Sequence, residues 1–167
     1  NKNEYTQTYD SSGRQLTGHS VNSSYDAAGN KTGTNVSDST FTYDANGRQT
    51  ASHQVDSVLN NGVLVVNHIY DQTWTYDANG RQYPGIHTET WFDAAGNITN
   101  KNEYTQTYDS NGRQLTSHSV NTSYDAAGNK TGSNVSDSTF TYDANGRQLT
   151  SHSVNSSYDA ADNKTGS

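Results

Sequence analysis

Thr40-Phe41-Thr42-Tyr43-Asp44-Ala45-Asn46-Gly47-Arg48 decides how this chain folds. Its first four residues alternate aromatic and hydroxyl side chains, the period of a β-strand with two distinct faces. The next residues are turn residues. Asp44 suits the first position of a type I turn, where its carboxylate accepts from a backbone N–H two residues on. Gly47 suits the left-handed residue that follows. A type I turn closed by a left-handed glycine is the common three-residue hairpin loop with its bulge. The stretch therefore predicts a strand running into a hairpin.

Close copies of the motif recur along all 167 residues. The aromatic that opens each copy is Tyr9, Tyr25, Tyr43, Tyr76, Phe92, Tyr108, Tyr124, Tyr142 and, in a last copy, Tyr158. The aspartate beside it is Asp10, Asp26, Asp44, Asp77, Asp93, Asp109, Asp125 or Asp143, and the glycine is Gly13, Gly29, Gly47, Gly80, Gly96, Gly112, Gly128 or Gly146. These starts lie 16 or 18 residues apart except between Tyr43 and Tyr76, where Leu59-Asn60-Asn61-Gly62 supplies a worn turn. The residue after the glycine alternates in type. It is Arg14, Arg48, Arg81, Arg113 and Arg147 in one set, and Asn30, Asn97 and Asn129 in the other, with Asn163 following Asp162. In an up-and-down meander this puts all arginine-type turns along one edge and all asparagine-type turns along the other. We assign these turn residues a structural role.

A second, longer period lies above the first. Residues 1–49 match residues 100–148 at an offset of 99, differing only at Ser12/Asn111, Gly18/Ser117, Ser23/Thr122 and Thr34/Ser133. Such self-similarity is the signature of a repeat architecture. The expected fold is all-β: antiparallel hairpin repeats of about 16–18 residues forming a twisted, curled sheet, tube or solenoid-like array, with some twelve residues, roughly 40 Å, per strand. Residues 57–69 form a degenerate repeat or insert. Pro84 cannot donate to a ladder and belongs at an edge, a strand end or a bulge, so the chain is expected to bend or close near Tyr83-Pro84-Gly85. The chain opens and closes within a repeat, which predicts a single array, 1–167, that is a fragment of a longer one.

Composition narrows the function. Only 28% of residues are hydrophobic and 16% charged, yet 12 Tyr, 3 Phe and 2 Trp recur at regular intervals. Disordered chains are poor in aromatics, so an ordered array with a thin aromatic face, covered by curling, is expected. A net charge of -7 disfavours nucleic acid and anionic membrane surfaces. The longest apolar run, Val63-Leu64-Val65-Val66, is far short of the ~20 residues of a membrane span. With no Cys, disulfides and thiol chemistry are excluded.

Tyr-Asp-x-x-Gly-Arg followed by Gln-Leu-Thr, at Tyr9 to Thr17, Tyr108 to Thr116 and Tyr142 to Thr150, resembles the YD repeat of Rhs-type extracellular bacterial proteins. Tyr25-Asp26-Ala27-Ala28-Gly29-Asn30-Lys31-Thr32 resembles the same family's Gly-Asn-Arg/Lys-Thr variant. The resemblance implies a spiralling antiparallel sheet in an exported protein. In the toxin members that sheet is a shell around a cargo domain, and in others it forms cell-surface, wall-associated or adhesion structures. This chain has no recognisable shell-closing, self-cleaving or cargo segment, and its repeats are shorter and more uniform. Those departures favour a structural segment of an extracellular filament, stalk or adhesin over a toxin shell.

The remaining chemistry is sparse. Calcium needs six to eight oxygen ligands, whereas each turn offers one Asp and one amide, so turn capping is the reading preferred to calcium and no cofactor is expected. His19, His53, His118 and His152 recur in register, but equivalent residues lie two strands apart, about 9.6 Å, too far to share a metal ion. They read as hydrogen-bonded structural residues. His118-Ser119 lacks an orienting acid, and Glu4, Glu89 and Glu103 are the only glutamates, so no catalysis is expected. Trp74 and Trp91 replace positions otherwise held by Phe or Thr and are the candidate glycan contacts. The expected partners are copies of the chain, adjoining repeats and surface glycans.

Overall fold

A computed structural model describes residues 1–60 and 62–167. Its described elements are all strands: β1 (Lys2–Tyr9), β2 (Gln15–Tyr25), β3 (Lys31–Tyr43), β4 (Gln49–Asn60), β5 (Val63–Tyr76), β6 (Gln82–Phe92), β7 (Ile98–Tyr108), β8 (Gln114–Tyr124), β9 (Lys130–Tyr142), β10 (Gln148–Asp159) and β11 (Lys164–Gly166). They form one antiparallel sheet whose spatial order is the chain order. The protein is thus an all-β array of consecutive hairpins. Gly33 and Gly132 do not interrupt β3 and β9, which run unbroken for 13 residues each.

Each motif copy turns the chain as its residues dictate. At the first, Gly13 N donates to Asp10 O at 3.0 Å, and Gly13 takes φ of 79°, the left-handed conformation that a side chain disfavours. Asp10 Oδ1 then accepts from the N–H groups of Ser12 (2.8 Å) and Arg14 (2.9 Å). The side chain thereby satisfies backbone donors that the tight loop leaves without a ladder partner. Asn60 pairs with Val63 across the worn turn, where Gly62 has φ of 84°; Asn61 lies outside the described residues.

A one-residue bulge follows each standard turn. Thr8 pairs with Thr17 but Tyr9 with Gln15, and Ser24 pairs with Gly33 but Tyr25 with Lys31. Directly opposed residues share a face, so an unpaired residue shifts the alternation by one. Outside the interval of 33 between Tyr43 and Tyr76, which share a face, the steps between turns are even, so the bulge sends successive turn aromatics to opposite faces. The front face carries Tyr9, Tyr43, Tyr76, Tyr108 and Tyr142 from the arginine-type turns, with Phe41, Phe140, Trp74 and Trp91. The back face carries Tyr25, Phe92, Tyr124 and Tyr158. This corrects the expectation of one aromatic face.

The expected covering of the aromatics by curling is also corrected. The sheet is open, with β1 and β11 at its two ends. Among the described residues Val36 is the buried hydrophobic one and Ser23, Thr34, Gln72, Thr122, Ser133 and Ser156 are the buried polar ones, while Tyr5 and Tyr9 are more than half exposed. A single layer has nothing to pack against, and too few apolar side chains are present to demand a second. Cohesion comes from long ladders and cross-strand pairs such as Thr8–Thr17, Thr107–Thr116 and Thr141–Thr150, whose hydroxyl oxygens are each 2.6 Å apart. Pro84 sits inside β6 opposite Trp74, beside the bulge at Gly85-Ile86, and the sheet continues past it to β7. There the bulge is displaced from its usual place, since proline offers no N–H to the ladder.

Candidate functional site

Two places concentrate polar and aromatic chemistry: the edge bearing the arginine-type turns, and the front face of β4–β6. At the edge, each arginine first clamps its own turn, as in Arg48 Nε to Asp44 Oδ2 at 2.7 Å. Arg14, Arg48, Arg81 and Arg113 then reach the next turn of that edge. The guanidinium of Arg14 lies over Tyr43, that of Arg48 over Tyr76 and that of Arg113 over Tyr142, at 5.2, 4.5 and 5.0 Å from the ring centres. Nη1 of Arg81 and of Arg113 donates to the carbonyls of Asn111 (3.1 Å) and Asp143 (3.2 Å) in the next turn of that edge. Each of those tyrosines reaches back. Tyr43, Tyr76 and Tyr142 donate to the carbonyls of Gln15, Gln49 and Gln114 at 2.8, 2.7 and 2.9 Å.

The asparagine edge is clamped more simply. Asn30 and Asn97 donate Nδ2 to Asp26 and Asp93 at 3.0 and 3.1 Å, and Asn97 also reaches Ala126 O at 3.2 Å. A short amide suffices for its own turn and, at Asn97, reaches the next one; only an arginine also covers a ring. These bonds hold the turn carboxylates below the ordinary aspartate range. The Arg48 N–H is the main cause at Asp44, and the Asn30 side chain at Asp26. The staple is modified once: Tyr83 stacks on Tyr108, ring centres 4.9 Å apart, and Tyr108 bonds instead to Gln106 in its own strand.

On the front face of β4–β6, in the stretch without a second copy, Asp56, His68, His87, Glu89, Tyr70 and Trp91 come together. Asp56 opposes His68, which opposes Trp91; Gln54 opposes Tyr70, which opposes Glu89. His68 Nδ1 is 3.3 Å from Asp56 Oδ2, and its ring stacks on Trp91 at 5.1 Å. On its other side, His68 Nε2 is 3.9 Å from Glu89 Oε1, while His87 Nε2 is 3.6 Å from Glu89 Oε2. His87 Nδ1 lies 3.2 Å from Gln72 Oε1, and Tyr70 meets the His87 ring edge-on at 4.8 Å. Burial pushes the Asp56 carboxyl upward, but hydrogen bonds from Ser37, Gln54 and His68 outweigh it and hold it low. Burial and the Glu89 charge raise the Tyr70 phenol. Among the described residues, no three His, Asp or Glu side chains are grouped to hold a metal ion.

Each sequence candidate has a definite place. The turn residues all lie in the hairpin loops or at their mouths. Trp74 and Trp91 share the front face, but Trp91 opposes His68, six residues along β5 from Trp74, roughly 20 Å away. They do not form one platform. On the back face His19, His53 and His118 each meet an aspartate of the next strand, Asp38, Asp71 and Asp137, at 2.6, 2.6 and 2.7 Å. An acid therefore does orient His118, contrary to expectation, while Ser119 lies on the opposite face by strand alternation. Sequence reasoning missed the His68–Glu89 cluster. Its visible signal was that His68, His87 and Glu89 stand where the repeat has no copy.

No family model and no curated protein matches the chain. Among solved structures, a protein of unknown function from Bacteroides fragilis is similar over 92% of this chain and 91% of its own, at 9% identity and a TM-score of 0.37.

Proposed function

We propose that the chain is a structural repeat segment of an extracellular filament, stalk or adhesin, without catalytic activity, and a member of the YD-repeat class that its turns resemble. The observation that carries this reading is the arginine–tyrosine staple. It links three pairs of neighbouring turns on one edge, and Arg81 reaches the Asn111 carbonyl of the next turn in its place, so every added hairpin extends the same construction without a closing element. The match of residues 1–49 to 100–148 supports it, because strands β1–β3 recur as β7–β9 with equivalent pairings, Val21 with Val36 and Val120 with Val135. Neighbour-to-neighbour contacts are how repeat arrays gain stability with length.

Electron microscopy of native, unfractionated material tests the proposal. Strands stacked along the axis at ~4.8 Å give each six-strand, 99-residue unit an advance of about 29 Å. Continuous fibres or stalks with that axial repeat are expected; isolated globules enclosing a second polypeptide would overturn the reading in favour of a shell.

A further inference from the structure

The back face carries an apolar stripe that lies open in the single layer. Val21 opposes Val36, and Val36 opposes Ser57, which opposes Val66; two residues back along β4, Val55 opposes Ile69. Phe92, opposite Ile98, ends the stripe. With Leu64, Val66 and Ile69 it lines an open groove of about 420 Å³. Val120 and Val135 repeat the first valine pair six strands further on, on the same face. The groove, at β5 and β6, lies midway between the two valine pairs in strand order.

Surface area points to what covers this face. The protein exposes 10066 Å² of accessible surface, whereas a compact monomer of 18.2 kDa exposes about 8,100 Å². The excess, roughly 2,000 Å², is close to one face of the sheet, eleven strands at ~4.8 Å by about eleven residues at ~3.4 Å. The stripe and its margin, from β2 to β7 in width and Leu64 to Asp71 in length, cover roughly 800 Å², the area that each partner gives to a stable interface of standard size. The stripe is too sparse to make folding depend on a second layer. An apolar centre inside a polar rim is nevertheless the anatomy of a reversible interface.

Charge points to the same partner. Among the described residues, the five acids that the back face carries between its turns are each paired with a base: Glu4 with Lys2, Asp38 with His19, Asp71 with His53, Glu103 with Lys101 and Asp137 with His118. A basic partner finds no free carboxylate there, and a like face brings no unpaired acid against it. The front face, by contrast, holds Asp56 and Glu89 on either side of one histidine. We propose that two copies of the chain pair back face to back face about a two-fold axis at β5 and β6, as two sheets ~10 Å apart. Groove then meets groove at the centre, with a valine pair on either side. The pairing goes beyond the filament reading and does not rest on it, since it uses a face whereas the filament runs along the order of the strands.

Sedimentation equilibrium of the full chain tests the pairing. A reversible species of twice 18.2 kDa is expected as concentration rises, and added salt should favour it, because each copy carries a net charge of -7. Leu64 and Val63 are 52% and 65% exposed, and as neighbours on one strand they face opposite sides of the sheet. Substitution at either therefore leaves the sheet folded, which circular dichroism records. Leu64→Lys should raise the dissociation constant by roughly tenfold or more, because it puts an unpaired charge into the apolar centre. Val63→Lys, on the front face, should leave it unchanged. A monomer at every concentration would overturn the proposal and leave the face to another partner. A dimer that survives Leu64→Lys, or one that Val63→Lys dissolves equally, would overturn it as well. Species heavier than a dimer that Leu64→Lys does not diminish would report addition along the strand order in place of face pairing. Loss of the pairing leaves the filament reading standing, because microscopy tests that separately.

Discussion

Tyr142 donates its phenolic hydrogen to the carbonyl of Gln114 at 2.9 Å, joining residues 28 apart in sequence on the neighbouring strands β9 and β8. The Arg113 guanidinium covers the same ring. Ring, hydroxyl and cation thus tie one turn to the next without a hydrophobic core between them.

Tyr142→Phe removes that hydrogen bond and keeps the ring, so a loss of about 1 kcal/mol is expected by urea denaturation. A double-mutant cycle of Tyr142→Leu with Arg113→Gln should give a coupling of about 0.5–1 kcal/mol, the range of an exposed cation–π pair. Additive single effects would show that the stacking carries no stability.

The turn glycines separate conformation from space. Gly13 and Gly112 have φ of 79° and 83°, but a Cβ at Gly13 meets nothing within 4 Å, whereas at Gly112 it meets the Tyr83 ring. Gly13→Ala should therefore cost about 1–2 kcal/mol through backbone strain alone. Gly112→Ala should cost more and abolish the Tyr83–Tyr108 stack, seen as a change in near-ultraviolet circular dichroism. Equal losses at the two sites would contradict this account.

Acid should weaken the array at many turns together. Asp10, Asp26, Asp44, Asp77, Asp93, Asp109, Asp125, Asp143 and Asp159 all have carboxyls lowered from the ordinary value of 3.8 by hydrogen bonds within the turn. A carboxylate depressed on folding contributes stability that is present above the unfolded value and lost as pH falls through the folded one. The melting temperature should be level with respect to these groups from neutrality down to about pH 5 and fall steeply below about pH 4. A melting temperature unchanged at pH 2 would remove the carboxylate clamps from the account of stability.

Glu89 presents only acceptors to His68 and His87, whose Nδ1 atoms already face Asp56 and Gln72. In the neutral tautomer that donates Nδ1–H to those partners, both Nε2 atoms turn lone pairs toward a carboxylate. Glu89→Gln supplies an N–H for one of them and should stabilise the protein by about 1 kcal/mol at neutral pH. Destabilisation of that size would mean that His68 bridges its two carboxylates as a cation.

The hairpins, their loop chemistry and the assignment of arginine and asparagine turns to opposite edges were all legible in sequence. They depend on contacts within five or six residues, such as Asp44 with Asn46 and Arg48, and on spacing that repetition makes plain. Register was not legible. Whether Tyr25 and Tyr43 share a face depends on a bulge at Thr32, which local turn chemistry suggests but only strand pairing places. The His68–Glu89–His87 cluster likewise draws on two strands and has no periodic echo to announce it. Sequence by itself determined a meander of long strands, because turn residues act locally and recur. Tertiary structure decided that the sheet stays open, that its aromatics divide between two faces, and that His68, Glu89 and His87 meet on one of them. Those outcomes come from pairings between strands, where a shift of one residue exchanges the two faces.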